Sequence, residues 1–424
     1  MFDSRSAGLF KKEDRIMGTA YDFSSTVKKT ETETLATFQE EIPSIYFSHK
    51  GKDAYATYVK RAEFIYREHF KFPPKMFEGA KLIDFGAGTG ENTVYLANWG
   101  AICTLVEMND RAQRISKEVF LKYALRPNDH TFFLSSIFDY APEKKELFDI
   151  VHCRGVLSHT AAKEEAFQRI ATFLKPGGFL IFGDPNKAGG FQNMLQRYAV
   201  YKFAKTPDEM VDISEVLFKE DINRSEQTIP RTRRAIIFDR WVIQSQDDPS
   251  VAEIVGWAQK AGLRMYSSYP SVLPPTLGDS LHHNPKFDPY SLRNVFSVAE
   301  LTWMMQTESD SAFMLSVDAG VAPLADSLAQ VTVYVANLNK RSTLELDRFS
   351  KLTSKLVSSI EDTRFLQPVR EKLAIFAKEA EEFVRVVDAG DLKAVRKFIE
   401  GTRHLFRGAC GNRHVDFIAY RPND

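Results

Sequence analysis

Cysteine is scarce in this chain: Cys103, Cys153 and Cys410 are the three it has in 424 residues. They stand far apart, without a Cys-x-x-Cys pair or a histidine at zinc spacing, which argues against a disulfide framework or zinc module and for a reducing compartment. Net charge is missing too. Lys and Arg number 56 and so do Asp and Glu, a balance that gives no reason to expect a surface coating nucleic acid or anionic lipid. No window holds the roughly 18 apolar residues of a membrane span. The opening MFDSRSAGLFKKEDRIMG scatters charges where a signal peptide would carry an apolar core. The expectation from these absences is a cytoplasmic protein without membrane contact. No internal repeat or low-complexity tract is visible.

What the chain does have is length and 44% hydrophobic residues, enough for two domains. From about residue 80, short β-branched runs alternate with helical periodicity. Leu82, Ile83 and Phe85 form the first run, followed by a helix predicted over Glu91 to Asn98. AICTLVEM ends a second strand at Glu107, and Ala112, Ile115, Val119 and Tyr123 mark the next helix. HTFFLSS, FDIVHCRGV, a helix over about 161–174, the stop KPGG and the strand FLIFGD complete five alternations, a pattern for a parallel sheet with helices on both faces.

Residues 187–249 read as a polar excursion of short helices. Ser250 and Glu253 then offer a capping box, and LRMYSSYPS a sixth strand. The remaining strand signal, HVDFIAYRP at His414 to Pro422, lies far downstream of a helical stretch in which Gly390 and Asp391 provide a stop and a fresh N-cap. The organisation expected is an N-terminal helical segment over 1–79 covering the site, a core over 80–271, an inserted helical domain over 272–412, and a final strand at 413–424 paired with the sixth. Replacing the insert with a short linker is expected to leave the sheet folded.

The stretch KLIDFGAGTGENT raises the functional question. A strand, then Gly-x-Gly-x-Gly, then a helix brings backbone N–H groups close to a ligand. A dinucleotide fingerprint would need a third glycine at position 91, which is Glu91. Glu91 and Asp84 beside a pyrophosphate would also set like charges together. A ligand with ammonium and sulfonium centres meets no such repulsion.

LIDFGAGTGENT resembles motif I of the class I S-adenosylmethionine-dependent methyltransferases. The likeness continues through FDIVHCRGVLSHT and LKPGGFLIF and closes with FIAYRP. It implies a seven-stranded, doubly wound, Rossmann-like α/β sheet, here with the helical domain inserted between its last two strands, and S-adenosyl-L-methionine as cofactor. Asp84 would serve the methionine amino group, the backbone at Gly86, Ala87, Gly88 and Gly90 would approach the cofactor, and Glu107 would take the ribose hydroxyls beside Met108. Ser136 stands where the family carries an acid near the adenine, followed by Ile137; Arg154 completes the set.

For the acceptor, His159 at the end of the fourth strand is the candidate general base, with Asp184, Asn186, Arg240 and Trp241 as further contacts. Arg231, Arg233 and Arg234 read either as a solvated loop or as a face for an anionic acceptor. His282 and His283 have no acidic cluster at ligand spacing, so no metal is expected. The reading is a methyltransferase acting on a small or medium-sized acceptor, with a homo-oligomer through the helical insert as an open option. Three alternatives stand beside it: an RNA (tRNA) methyltransferase, disfavoured by the neutral charge; a NAD-dependent oxidoreductase, disfavoured by Glu91; and a non-catalytic, cofactor-binding subunit docking a partner through its insert.

Overall fold

In β1 (Lys81–Phe85), Leu82 and Ile83 point to opposite faces and both are fully buried, so this strand must be covered from two sides. The computed structural model describes residues 23–42, 52–142, 147–228, 231–243, 248–272, 289–291, 296–305, 319–320, 322–330, 333, 346–361, 367–407 and 414–423. Within them β1, β2 (Ile102–Glu107), β3 (Thr131–Leu134), β4 (Phe148–Arg154), β5 (Leu174–Pro185), β6 (Arg264–Tyr269) and β7 (His414–Tyr420) form one sheet in the order β3-β2-β1-β4-β5-β7-β6. The first five are parallel, and β7 runs antiparallel to both β5 and β6. The sixth and last strands are therefore partners, as their sequences predict. His282, His283 and Cys410 lie outside the described residues, while Cys103 and Cys153 are buried free thiols.

Strand alternation sorts the core into two layers. Leu82, Leu105, Ile150, Ile181 and Ile418 face Tyr66, Leu96, Val119 and Phe120, brought by the segment after α2 (Lys52–Phe64), by α3 (Val94–Asn98) and by α4 (Asp110–Tyr123). Ile83, Phe85, Val151, Leu180 and Phe182 face Phe167, Ile170, Ile254 and Val255 on α5 (Lys163–Ala171) and, later in the chain, Val251–Lys260. Each such side chain contributes about 1.5–3 kcal/mol on burial.

Two local expectations change. The helix after the glycine loop begins at Val94, not Glu91, because the carbonyl of Gly90 accepts from both Thr93 N and Val94 N in a tighter turn and the Thr93 hydroxyl donates to Asp84. KPGG does not end a helix before a strand. It lies within β5, as an irregularity between the pairs Phe148–Leu174 and Ile150–Phe179. The capping box at Ser250 and Glu253 and the cap at Asp391 are both formed.

Between β5 and β6 come α6 (Phe191–Phe203), α7 (Pro207–Thr228), α8 (Arg233–Ile237) and α9 (Val251–Lys260). Between β6 and β7 come α10 (Phe296–Met304), α11 (Leu346–Glu361), α12 (Gln367–Asp388) and α13 (Leu392–Gly401). Val200, Phe218, Ile237 and Trp241 from the first group share a core with Phe376, Phe383, Val395 and Leu405 from the second. Helices on both sides of β6 thus pack as one body. Among the described residues, no helix is long and apolar enough to cross a membrane.

Candidate functional site

The site begins where β1 ends. Gly86 and Gly88 both have positive φ, +69° and +54°, and the tight turn they allow leaves the N–H of Gly88 free to point across to the next strand. It donates to Glu107 Oε2 at 2.7 Å, and Asn109 N donates to Oε1 at 2.7 Å. Burial pushes the Glu107 carboxyl above its ordinary range, against these backbone donors, which favour the charged form. Each carboxylate oxygen accepts two hydrogen bonds. Glu107 therefore keeps acceptor capacity for ligand hydroxyls.

Asn109 does three things at once. Its side-chain oxygen caps α4 by accepting from Arg111 N and Ala112 N. Its amide donates to the Phe38 carbonyl at 3.1 Å. Phe38 belongs to α1 (Phe23–Glu40), which lies over the mouth of the loop. The same helix is tied down by Thr34 Oγ1 to the His159 carbonyl at 3.3 Å, Arg111 Nη1 to the Gln39 carbonyl at 3.0 Å, Lys28 to Asp139 at 2.6 Å and Arg234 to Glu40 at 3.0 Å. The Phe38 ring meets the His159 ring edge-on, 5.4 Å between centroids.

Loop, strand ends and α1 enclose a cavity of about 400 Å³. Along it stand Glu107, Met108, Asn109, Ser136 and Ile137; Gly86, Ala87 and Gly88; and His159, Arg154, Tyr58, Glu91, Arg231 and Asp239. Arg154 is fixed from the far side of β5. Its Nε and Nη2 donate to Asp416 Oδ1 and Oδ2 at 2.6 and 2.8 Å, although β5 runs between β4 and β7. The strand register sets Gly183 between the two, where an added Cβ would run into the Asp416 carboxylate. The missing side chain is what lets the pair close.

Of the residues expected at the site, the structure brings together Gly86, Ala87, Gly88, Glu107, Met108, Ser136, Ile137, Arg154 and His159 around this cavity. The others fall outside its lining. Asp84 sits behind the loop, accepting from Thr93 Oγ1 and bonded to His152 Nδ1 at 2.7 Å. Gly90 packs toward Ser116 and Phe120. Asp184 is buried, accepting from Leu157 N and Ser158 Oγ, both at 3.1 Å, and so shapes the turn that carries His159. Its burial raises the carboxyl to about 7. Asn186 bonds Glu300 and the backbone of Ala188 and Gly189.

Arg240 and Trp241 require the largest correction. Both are buried in the helical core, Arg240 on Asp221 at 2.6 Å and Trp241 on Gln196 at 3.1 Å, with the indole stacked on Phe218. They hold helices together and do not reach the cavity. Burial opposes the Asp221 charge, but Arg240 holds that carboxyl below its ordinary range.

Sequence reasoning missed Asn109, Phe38 and Asp416. Asn109 was findable, as an N-cap two residues after Glu107; Asp416 was not, since only the sheet order sets it beside Arg154. Among the described residues no cluster of three or more His, Cys, Asp or Glu is placed to hold a metal. The chemistry present fits a ligand with hydroxyls for Glu107 and a group small enough to lie against the glycine backbone, and thus fits a nucleoside-bearing cofactor.

Residues 55–211 match the family model described as a methyltransferase domain. A ubiquinone biosynthesis O-methyltransferase of Vibrio vulnificus (strain YJ016) is 28% identical over 109 residues, 26% of this chain and 45% of that one. A dimethylglycine N-methyltransferase of Parasynechococcus marenigrum (strain WH8102) is 27% identical over 120 residues, 27% of this chain and 41% of that one. The chain spans less than half the length of these curated relatives. The crystal structure of magnesium protoporphyrin IX methyltransferase from Synechocystis PCC 6803 overlays with a TM-score of 0.29 at 11% identity, over 59% of this chain and 77% of that one.

Proposed function

We propose that this chain, which belongs to the class I S-adenosylmethionine-dependent methyltransferases, transfers a methyl group to a small or medium-sized acceptor in the cavity beneath α1. One observation carries the reading: Glu107, the backbone of Gly88 and His159 line a single cavity, with Glu107 and Gly88 already hydrogen-bonded to each other.

When bound, S-adenosylmethionine supplies a methyl group activated by its sulfonium centre. The chain's own residues supply alignment and exclusion of water. Glu107 holds the ribose hydroxyls, and the loop backbone admits the cofactor without a side chain in the way. Phe38 and Leu35 of α1, both in the lining, keep solvent out. His159, the imidazole of the described lining, takes the acceptor's proton on a ring nitrogen where the acceptor carries one. A cytoplasmic setting is part of the same reading.

Thermal unfolding and calorimetry with S-adenosylmethionine, S-adenosylhomocysteine and NAD test it. Stabilisation by the first two and not by NAD is expected. Binding of NAD alone would overturn the reading.

A further inference from the structure

Three arginines, Arg231, Arg233 and Arg234, stand close together in the sequence, and the structure uses them differently. Arg233 is taken up by Glu215 and Glu226, and Arg234 by Glu40 and Asp208. Arg231 lines the cavity. Its one hydrogen bond among the described residues runs from Nη1 to Asp239 Oδ2 at 2.8 Å, and its Nε is buried with no partner among them.

A guanidinium presents two N–H groups side by side along its Nε–Nη2 edge, a fork that matches the two oxygens of a carboxylate. Arg154 shows the fork engaged, on Asp416. Arg231 shows it open, with Asp239 gripping the other end and limiting its freedom. A buried N–H without an acceptor is unfavourable, so an oxygen arriving there gains more than it would from an arginine in water.

Arg154 and the phenol of Tyr58 line the same cavity. Of the acidic residues in the lining, Asp239 is held by Arg231 itself, Glu107 by two backbone N–H groups, Glu31 lies 3.8 Å from Lys28, and Glu91 is a buried carboxylate.

We propose that Arg231, braced by Asp239, is the carboxylate-binding residue of this cavity. The carboxylate belongs either to the amino-acid end of the cofactor or to the acceptor, and the two sources are separable by experiment. The proposal rests on the methyltransferase reading for the identity of the nucleoside.

The test compares wild type, Arg231→Gln and Arg231→Lys by calorimetry with two matched pairs. The first pair is S-adenosylhomocysteine and 5′-methylthioadenosine, the same thioether nucleoside without the amino-acid group. The second is benzoate and uncharged benzamide, titrated into protein saturated with S-adenosylhomocysteine. Arg231→Gln is expected to weaken the carboxylate-bearing member of one pair by roughly 10- to 100-fold and spare its neutral partner. Selective loss in the first pair assigns the carboxylate to the cofactor; selective loss in the second assigns it to the acceptor. Arg231→Lys keeps the charge without the fork and should fall between, and it carries the same comparison if the glutamine variant does not fold. Equal loss of both members of a pair, or no change in either pair, overturns the proposal. A wild type that binds neither nucleoside overturns the methyltransferase reading and this inference together, a result distinct from wild-type binding that Arg231→Gln leaves untouched.

Discussion

Glu107 is a buried carboxylate whose charged form two backbone N–H groups already favour, and hydroxyls brought by a ligand would add to them. Because burial raises its carboxyl while hydroxyl donors favour the ionised form, cofactor affinity should fall as pH drops through that raised value. Glu107→Gln should flatten the profile, and Glu107→Ala should weaken binding by about 1–3 kcal/mol at neutral pH. Calorimetry across pH checks both; wild-type affinity in the two variants would remove Glu107 from the site. Asp184 makes the companion case for stability. Its ordinary value is 3.8 and its folded value about 7, so the folded state favours the protonated form. That contribution is fully present below the unfolded value and is lost as pH rises through about 7. Asp184→Asn, which can still accept from Leu157 N, should therefore stabilise the protein by roughly 1–3 kcal/mol in mildly alkaline buffer and show less change with pH. Denaturant melts at several pH values would decide, and a variant that is less stable throughout would contradict the assignment.

Elements show where sequence was a sufficient guide and where it was not. The five parallel strands, the Ser250 and Asp391 caps and the pairing of β6 with β7 were legible, because strand alternation and capping chemistry are local. Arg240 and Trp241 were misread for the opposite reason. A charged residue beside an aromatic one looks like a ligand face until Asp221 and Gln196, 19 and 45 residues away, turn it into a buried helix contact. An N-terminal helical segment covering the site was expected, but the ties of α1 to the loops after β2 and β4 run through backbone carbonyls that no pattern reveals, and its tie to the loop after β3 is the Lys28–Asp139 ion pair. Phe38→Ala should remove the contact with His159 and about 0.5–1.5 kcal/mol of closure. Hydrogen exchange over residues 23–42 should then quicken, with S-adenosylhomocysteine affinity down several-fold and thermal unfolding almost unchanged. Unaltered exchange and affinity would mean that α1 is held without the ring.

The whole molecule modifies the expectation that residues 272–412 can be exchanged for a linker. Phe376, Phe383, Val395 and Leu405 lie in that span and cover Phe218, Ile237 and Trp241, which lie outside it. Removing the span would leave this apolar surface in water, and burying each large side chain contributes about 1.5–3 kcal/mol. The linker variant should therefore bind an apolar dye and lose protection over residues 191–242, with the parallel strands still exchange-protected. A variant cut before β7 should instead lose protection in β6, whose partner is β7. If the linker variant keeps residues 191–242 protected and excludes dye, the shared helical core does not support those helices.

The ion pair that crosses β5 has a meaning for how the protein is born. Arg154 and Asp416 are 262 residues apart, and at roughly 5–20 residues per second the ribosome needs about 13–50 s to travel between them. Throughout that interval the nascent chain carries the glycine loop, Glu107 and Arg154 already synthesised, but the carboxylate that fixes Arg154 does not yet exist. A cavity wall is therefore completed late in translation, after the helices that separate β6 from β7 have been made.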